Sequence, residues 1–373
     1  MKKFPKFTVI FAAATAMVTL AGCMGAGNCS GCGGSKVTNT ALTNSNWYIQ
    51  TGYKGIQPYF INGEHETLVY EVKFDGANDG KGNGNYKIEY SDGAFTTDFY
   101  AFEYDWNSTS VPEAYRAEET KKEVLYCYKT ELSISGKITV GKAEKEFSDS
   151  VKTVSYFRSA YYSLQPVYSW QEIKSTSPAA YRPATLEAAY EEHDVVYENY
   201  YNYACTEVTS VKTEKDGEPE TETYGKLNKT ANSLFDNSSL YTVIRSLKLS
   251  SGLSQTINLF NAASGGISTI KLAGSGSELE KDELTAVSSA LAAKNLYVPV
   301  KKDDEGNEIE DKGVSTVAVT IGYDGGEMSG TTQTVWYAAL DDADNNTSRC
   351  TMVKLAIPVS FGLGTLNFTL KEV

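Results

Sequence analysis

A period-two alternation of apolar and polar residues most constrains what this chain can fold into. In the segment TLVYEVKFD, Leu68, Tyr70 and Val72 share one face, while Glu71 and Lys73 share the other. Successive side chains of a strand point to opposite faces of a sheet, so this pattern is typical of a half-buried strand. The alternation recurs at residues 85–91, 123–135, 351–359 and 365–373. The chain is therefore expected to be mainly β.

The expected fold class is mainly β, with a large curved antiparallel sheet, half-barrel-like, and one or two short helices. Half-buried strands joined by Gly-rich turns indicate antiparallel pairing with one apolar and one polar face. Residues 46–373 contain neither an internal repeat nor a clear linker, so they are predicted to form a single β-rich domain.

Two segments have helical patterns. Residues 183–193 predict two to three turns, and residues 277–295 predict a longer helix. In the second segment Ser277 and Glu280 have the spacing of a capping box. Its apolar stripe consists of Leu284, Val287 and Leu291.

The amino terminus resembles a bacterial lipoprotein signal. Three lysines precede the uncharged residues 7–20, a run that is shorter than the ~20 residues of a membrane-spanning helix. Leu20-Ala21-Gly22-Cys23 then resembles a lipobox. The resemblance implies cleavage after Gly22, a diacylglycerol group on Cys23, and a new amino terminus that is acylated, by a chain such as palmitate, or left free. The alternative is an ordinary secretory signal with a chance cysteine.

The lipobox interpretation predicts that the protein lies outside the cytoplasm and is anchored to a membrane. Residues 1–22 would be the signal peptide, and residues 23–45 a Gly/Ser-rich flexible tether to a cell membrane, or to the outer membrane of a host that has one. Within the tether, Cys29 and Cys32 form the spacing C-S-G-C. A tether dithiol or disulfide is expected, because the strand, helix or second Cys/His pair of a redox or zinc site is missing from the flanks.

Charge and composition restrict the function. Removal of Lys2, Lys3 and Lys6 with the signal lowers the formal net charge from −13 to about −16, which argues against nucleic acid as a partner. Only two histidines are present, so the most common acid–base and metal-binding residue is scarce. No nucleotide-binding, zinc-protease or serine-hydrolase motif occurs. The chain is expected to be a non-enzyme without a cofactor.

A few residues remain candidates for metal sites. Asp342, Asp344 and Asn346 alternate like the front of a calcium loop, but the glycine and the final glutamate of that loop are missing. A hairpin turn is the preferred interpretation. His65 and His193 have acidic neighbours and could bind a metal, and a solvated surface histidine is the simpler interpretation of both.

Tyrosine-rich runs are the other candidate sites. The chain has 26 tyrosines, and they concentrate at residues 157–170 and 197–203. Such runs could line a groove for sugars or lipids, while packing against neighbouring strands is the alternative. The spacing of Cys127, Cys205 and Cys350 does not indicate whether any two of them meet.

The second half has a more specific pattern. Residues 236–265 carry the order Asp, Ser, Tyr, Arg-Ser-Leu, Leu, Gly, and residues 332–370 carry a Val-Trp-Tyr strand, an acidic turn and two final strands. This order resembles a bacterial envelope family, domain-of-unknown-function family 3108. The resemblance implies a long curved sheet wrapped around a helix or loops, similar in shape to periplasmic lipoprotein-carrier proteins. It implies no catalytic residue.

These observations predict a lipid-anchored, non-catalytic extracytoplasmic protein. Its concave apolar face would bind a lipid-like or amphiphilic molecule or serve envelope maintenance. The alternatives are a structural or adhesive surface protein whose tyrosine-rich outer face binds glycans, and an unrecognised hydrolase with a carboxylate pair.

Overall fold

The structure is a computed structural model. It describes residues 65–76, 86–116, 121–160, 163–180, 183–225, 234–247, 249–264, 266–297, 301–302, 305, 308–309, 313–323, 332–338 and 350–373. The predicted signal peptide, the tether with Cys23, Cys29 and Cys32, and the calcium candidates Asp342, Asp344 and Asn346 lie outside these residues. No helix in the described ranges is long and apolar enough to cross a bilayer.

The alternating segments become the strands of one large sheet. The strands are β1 (Glu66–Gly76), β2 (Tyr86–Asp105), β3 (Lys122–Val140), β4 (Ala143–Ala160), β5 (Ser163–Pro178), β6 (Tyr190–Tyr201), β7 (Glu207–Glu214), β8 (Glu220–Gly225), β9 (Leu234–Asp236), β10 (Ser254–Asn261), β11 (Gly266–Ser275), β12 (Lys301–Lys302), β13 (Glu308–Ile309), β14 (Thr316–Tyr323), β15 (Thr332–Ala338), β16 (Met352–Val359) and β17 (Gly364–Glu372). Two helices join them, α1 (Leu240–Arg245) and α2 (Lys281–Ala292).

The sheet has fifteen strands among the described residues, in the order β8-β7-β6-β5-β4-β3-β2-β1-β17-β16-β15-β14-β11-β10-β9. The short strands β12 and β13 pair separately. The predicted fold class is therefore confirmed. Neighbouring strands are antiparallel except β9 and β10, which are parallel.

The sheet curls until its β9 end meets the inner face of β5 and β6. One oxygen of Asp236, at the end of β9, accepts hydrogen bonds from Ser169 Oγ at 2.7 Å and from Tyr201 Oη at 2.5 Å. All three side chains are at most 3% exposed. Buried polar groups are costly unless they are paired, so this trio fixes where the two parts of the sheet meet.

Helix α1 fills the concave side of this curl. All six of its residues are buried. Tyr337 Oη on β15 donates to the Tyr241 carbonyl at 2.8 Å, and Arg245 forms a two-pronged ion pair with Glu66 at the start of β1. The cavity beside this pair, lined by Tyr70 among others, has a volume of about 10 Å³. Such a space holds about one water molecule.

One of the two predicted helices is wrong. Residues 183–189 form bends and turns, and Tyr190 already begins β6. The alternation of β6 overrides the helical propensity of the alanines, because Val195, Tyr197 and Tyr201 each occupy the buried face.

The second predicted helix is confirmed as α2, with Val287 and Leu291 buried and Leu284 partly buried. Its first turn lies later than predicted. Glu283, rather than Glu280, supplies the returning carboxylate, which accepts from the Glu280 backbone N–H at 3.3 Å.

The ion pair of Glu66 and Arg245 gives a stability prediction. The side chains are 2% and 6% exposed, so Arg245→Met would leave a buried carboxylate without its counter-charge. We expect the free energy of unfolding to fall by about 3–5 kcal/mol, as for other broken buried pairs. Urea titration of the full chain in mild detergent, followed by tryptophan fluorescence, measures this change.

Two variants serve as controls for Arg245→Met. The double variant Glu66→Leu/Arg245→Met should recover most of the loss, because no unpaired charge remains. Lys122→Met, which breaks an exposed pair with Glu103, should leave the free energy of unfolding close to that of the parent, because water screens this pair. A loss for Arg245→Met as small as that for Lys122→Met would contradict the structural role of the buried pair.

Candidate functional site

A row of tyrosines crosses the outer face of the sheet. Tyr100, Cys127, Tyr156, Tyr168 and Tyr200 lie opposite one another on the consecutive strands β2 to β6. Directly opposed residues in a sheet point to the same side. Their chain neighbours, such as Phe99 and Phe157, face the core, so this row faces outward.

The rings of this row form a connected strip. Ring centroids of Tyr156 and Tyr168 are 5.2 Å apart, and those of Tyr168 and Tyr200 are 5.1 Å apart. Phe102 lies 4.7 Å from Tyr156, and Tyr104 lies 6.2 Å from it. These spacings are typical of aromatic pairs that stabilise one another.

The strip continues beyond the sheet row. Trp106 lies 5.3 Å from Tyr104 on one side and 5.3 Å from Tyr203 on the other. Trp106 is 1% exposed, whereas Tyr203 is 44% exposed. We call the whole set the aromatic strip; its members are Tyr100, Phe102, Tyr104, Trp106, Tyr156, Tyr168, Tyr200 and Tyr203.

Hydrogen-bonding groups accompany the rings. Glu198 Oε1 accepts from Tyr168 Oη at 3.3 Å and from Tyr200 Oη at 3.4 Å. Burial raises the pKa of Tyr104 to about 12 and also raises the pKa of Tyr200. The hydroxyls therefore remain protonated at neutral pH and can donate hydrogen bonds.

A segment of the chain borders the strip. Residues 106–116 leave the end of β2 and reach β7, where Tyr115 Oη donates to Glu207 Oε1 at 2.9 Å and lies 2.9 Å from Thr209 Oγ1. Thr209 is opposite Tyr200 in the sheet. The segment thus crosses the outer face beside the strip.

The other half of the outer face is covered by α2. Lys354 Nζ on β16 donates to Glu283 Oε1 of α2 at 2.5 Å, and Trp336 Nε1 on β15 donates to the Ser277 carbonyl at 3.1 Å. Trp336 is buried there. Outward aromatic side chains are therefore buried to different degrees in the two halves of the sheet. A helix buries Trp336, whereas the aromatic strip is half-buried at most positions.

A second polar cluster lies on the inner face of β4, β5 and β6. Ser177 is opposite Glu191, and Ser175 is opposite His193. Asp149, on β4, accepts from the Thr176 backbone N–H at 2.8 Å. The second oxygen of Asp149, the Ser177 hydroxyl, one Glu191 oxygen and His193 Nε2 are buried without a hydrogen-bond partner.

The environment of this cluster keeps its members neutral. Burial raises the pKa of Asp149 to about 8, and it lowers the pKa of His193 to about 4 despite the opposing charge of Glu214. The expectation of a solvated surface histidine is wrong for His193, because odd-numbered residues of β6 face inward. It is confirmed for His65, whose side chain is 47% exposed.

The inner cluster does not have the geometry of an active site. Asp149 is 1% exposed and Ser177 is fully buried, so a substrate has no access to them. The Ser177 hydroxyl and His193 Nε2 make no hydrogen bond, although a nucleophile and its base need one. In the part of the chain that the structure describes, no three metal-ligating side chains converge.

The remaining sequence candidates divide between core and surface. In the tyrosine runs, Phe157, Tyr197 and Tyr201 pack in the core, while Tyr168 and Tyr200 join the aromatic strip. The cysteines Cys127, Cys205 and Cys350 are buried free thiols. Burial raises their pKa values to about 11, 12 and 11, which suppresses thiolate chemistry.

The comparison with solved structures gives a match at low similarity. The chain is similar to the crystal structure of a beta-barrel-like protein of domain of unknown function DUF1849 from Brucella abortus, with 9% sequence identity and a TM-score of 0.42. The match covers 83% of this chain and 95% of that chain. No family model and no curated protein match, so the resemblance to family 3108 stays a prediction.

The inner cluster gives a prediction on pH dependence. An unfolded aspartate loses its proton near pH 4, but folded Asp149 keeps it until about pH 8. The folded state therefore binds more protons in this interval, and stability falls as the pH rises through it. Asp149→Asn retains an acceptor for the Thr176 N–H and removes the titration. At pH 8 we expect the free energy of unfolding of Asp149→Asn to be larger than that of the parent by at least about 1 kcal/mol.

Urea titrations of the full chain between pH 6.5 and 8 test this prediction. His193 does not contribute in that interval, because its lowered pKa costs stability only as the pH falls below about 6.5. His193→Gln should therefore keep the decline that Asp149→Asn abolishes. An equal decline in the parent and in Asp149→Asn would show that Asp149 is ionised in the folded protein.

Proposed function

We propose that this protein is a lipid-anchored, non-catalytic extracytoplasmic protein that binds glycans through the aromatic strip. The observation that carries the proposal is the connected row of half-buried tyrosine rings on an outer sheet face. Tyr203 is 44% exposed and most of the other rings are half-buried, and partly exposed apolar surface gathered on one face in this way is typical of interaction sites.

The chemistry of the strip suits a sugar. Sugar rings have an apolar C–H face that packs on aromatic rings, and hydroxyl groups that exchange hydrogen bonds at the edge. The strip combines both, because Tyr168 and Tyr200 offer ring faces and hydroxyls beside the Glu198 carboxylate. Tyrosine supplies this amphipathic contact with little loss of side-chain entropy.

The concave face offers less support for a bound lipid. Helix α1 and its partners fill the described part of that face and leave a cavity of about 10 Å³. A lipid-sized ligand requires a pocket of about 300 Å³ or more. The outer face is therefore the better candidate, and the ligand is proposed to be a glycan rather than a lipid.

The anchoring and the absence of catalysis rest on different observations. The lipobox at residues 20–23 supports attachment to a membrane through Cys23, since two or more acyl chains hold a protein stably. The inaccessibility of Asp149 and Ser177 supports a binding role over hydrolysis.

A glycan array with the full chain in mild detergent tests the proposal. Tyr168 lies in the middle of the strip between Tyr156 and Tyr200, so Tyr168→Ala should weaken binding to the best glycan by at least about tenfold. Tyr168→Phe keeps the ring and should retain most of the affinity. Calorimetric titration measures the dissociation constants.

Tyr190→Ala is the matched control for Tyr168→Ala. Tyr190 begins β6 at the opposite end of the strand from Tyr200, where its ring contacts Lys145 and packs against the main core, away from the aromatic strip. The variant should bind like the parent. Failure of the parent to bind any glycan, or equal losses in both alanine variants, would reject the aromatic strip as the site.

A further inference from the structure

A single carboxylate lies among the rings at the centre of the aromatic strip. Glu198 is on β6, and its Oε1 accepts hydrogen bonds from the hydroxyls of Tyr168 and Tyr200. Directly opposite Glu198 on β5 is Trp170, which also faces outward and is half-buried. Side chains that oppose each other in an antiparallel pair have Cβ atoms about 5 Å apart. The carboxylate is therefore flanked by three aromatic side chains.

The charge of Glu198 is not balanced by any described residue. Its side chain makes no ion pair with the described part of the chain, whereas the nearby outward carboxylate of Glu172 lies 2.9 Å from Lys174 Nζ. The second oxygen of Glu198, Oε2, accepts no hydrogen bond from a described residue, and it is not one of the buried polar atoms. The residue is only half-buried, so Oε2 is open to solvent and to a ligand.

This combination of groups favours a cation. An ammonium group offers three N–H donors to a carboxylate, and it is attracted to the faces of aromatic rings. Partial burial strengthens both interactions, because less water screens the charges. A neutral sugar hydroxyl could donate to Oε2 of Glu198, but it would leave the negative charge uncompensated.

We propose that the glycan bound by the aromatic strip carries a free amino group, as unacetylated amino sugars do, and that its ammonium binds Glu198 Oε2 beside the ring of Trp170. This inference rests on the proposed function. The rings would hold the sugar chain, and the carboxylate would select the sugar that carries the free amine.

The test uses matched pairs of oligosaccharides that differ at one sugar, which carries either a free amine or its N-acetyl derivative. At about pH 6 the amine is protonated, so the full chain in mild detergent should bind the amine-bearing member of its best pair at least about tenfold more tightly. At about pH 9 most of the amine has lost its charge, and the same protein should lose the preference. Calorimetric titration measures the dissociation constants.

Glu198→Gln is the variant that tests the role of the carboxylate. Glutamine keeps an acceptor for the two tyrosine hydroxyls but carries no charge, so the variant should bind both members of the pair equally. Glu131→Gln is the matched control, because Glu131 faces outward on β3 and is already paired with Lys152 at 3.0 Å. It should retain the preference. Circular dichroism checks that both variants are folded.

The possible outcomes distinguish this inference from the proposed function. Equal binding of both members by the parent at pH 6, a preference that persists at pH 9, or a preference that Glu198→Gln retains overturns this inference alone. So does an equal loss of the preference in Glu131→Gln, because the preference would then come from the net negative charge of the chain. Binding to no oligosaccharide overturns the proposed function together with it.

Discussion

The ion pair of Glu66 and Arg245 is the interaction on which the curled sheet depends. It joins the first described strand to α1, although the two residues are far apart in the sequence. Both side chains are buried away from water, so burying either charge without the other would be strongly unfavourable. A buried pair of this kind contributes little net stability, but it strongly penalises any other position of α1. It therefore fixes where the helix sits inside the sheet.

The position of α1 determines which face of the sheet is available. A one-sided sheet of this size must cover its apolar face, and α1 together with the β9 end does so from within. Tyr337 and Tyr70 donate their hydroxyls to the carbonyls of Tyr241 and Met352, so the tyrosines that enter the interior are satisfied there. With the inner face filled, the surface left for recognition is the outer one.

The sequence predicts the strands well because alternation is a local signal. The pattern of residues 67–75 requires only that neighbouring side chains face opposite ways, and β1 follows it. The confirmed helix α2 likewise shows its apolar stripe and acidic first turn in the sequence. The error at residues 183–193 arises where a local helical propensity competes with pairing to β5, which no local pattern reveals.

The candidate site was beyond local prediction for a related reason. Its members come from β2 to β6 and from the turns beside them, and only the register of the pairs places Tyr156 opposite Tyr168. Strand β2 does contain a signal, since Tyr100, Phe102 and Tyr104 alternate on one face while Phe99 lies on the other. A strand with aromatic residues on both faces cannot bury both in the same core.

Packing accounts for part of the aromatic strip, because Phe102, Tyr104 and Tyr156 pack against a small buried cluster of Trp106, Leu125 and Val167. The same outward row continues on β7 and β8, where Tyr200 is followed by Thr209 and Thr223. Those threonines suffice for pairing and are hydrogen-bonded to each other at 3.2 Å. Strand pairing on this face therefore does not require aromatic residues. Within the sheet row the rings stop where β7 begins, and Tyr168 and Tyr200, which lie outside the small buried cluster, are the part of the strip that the proposed ligand would contact.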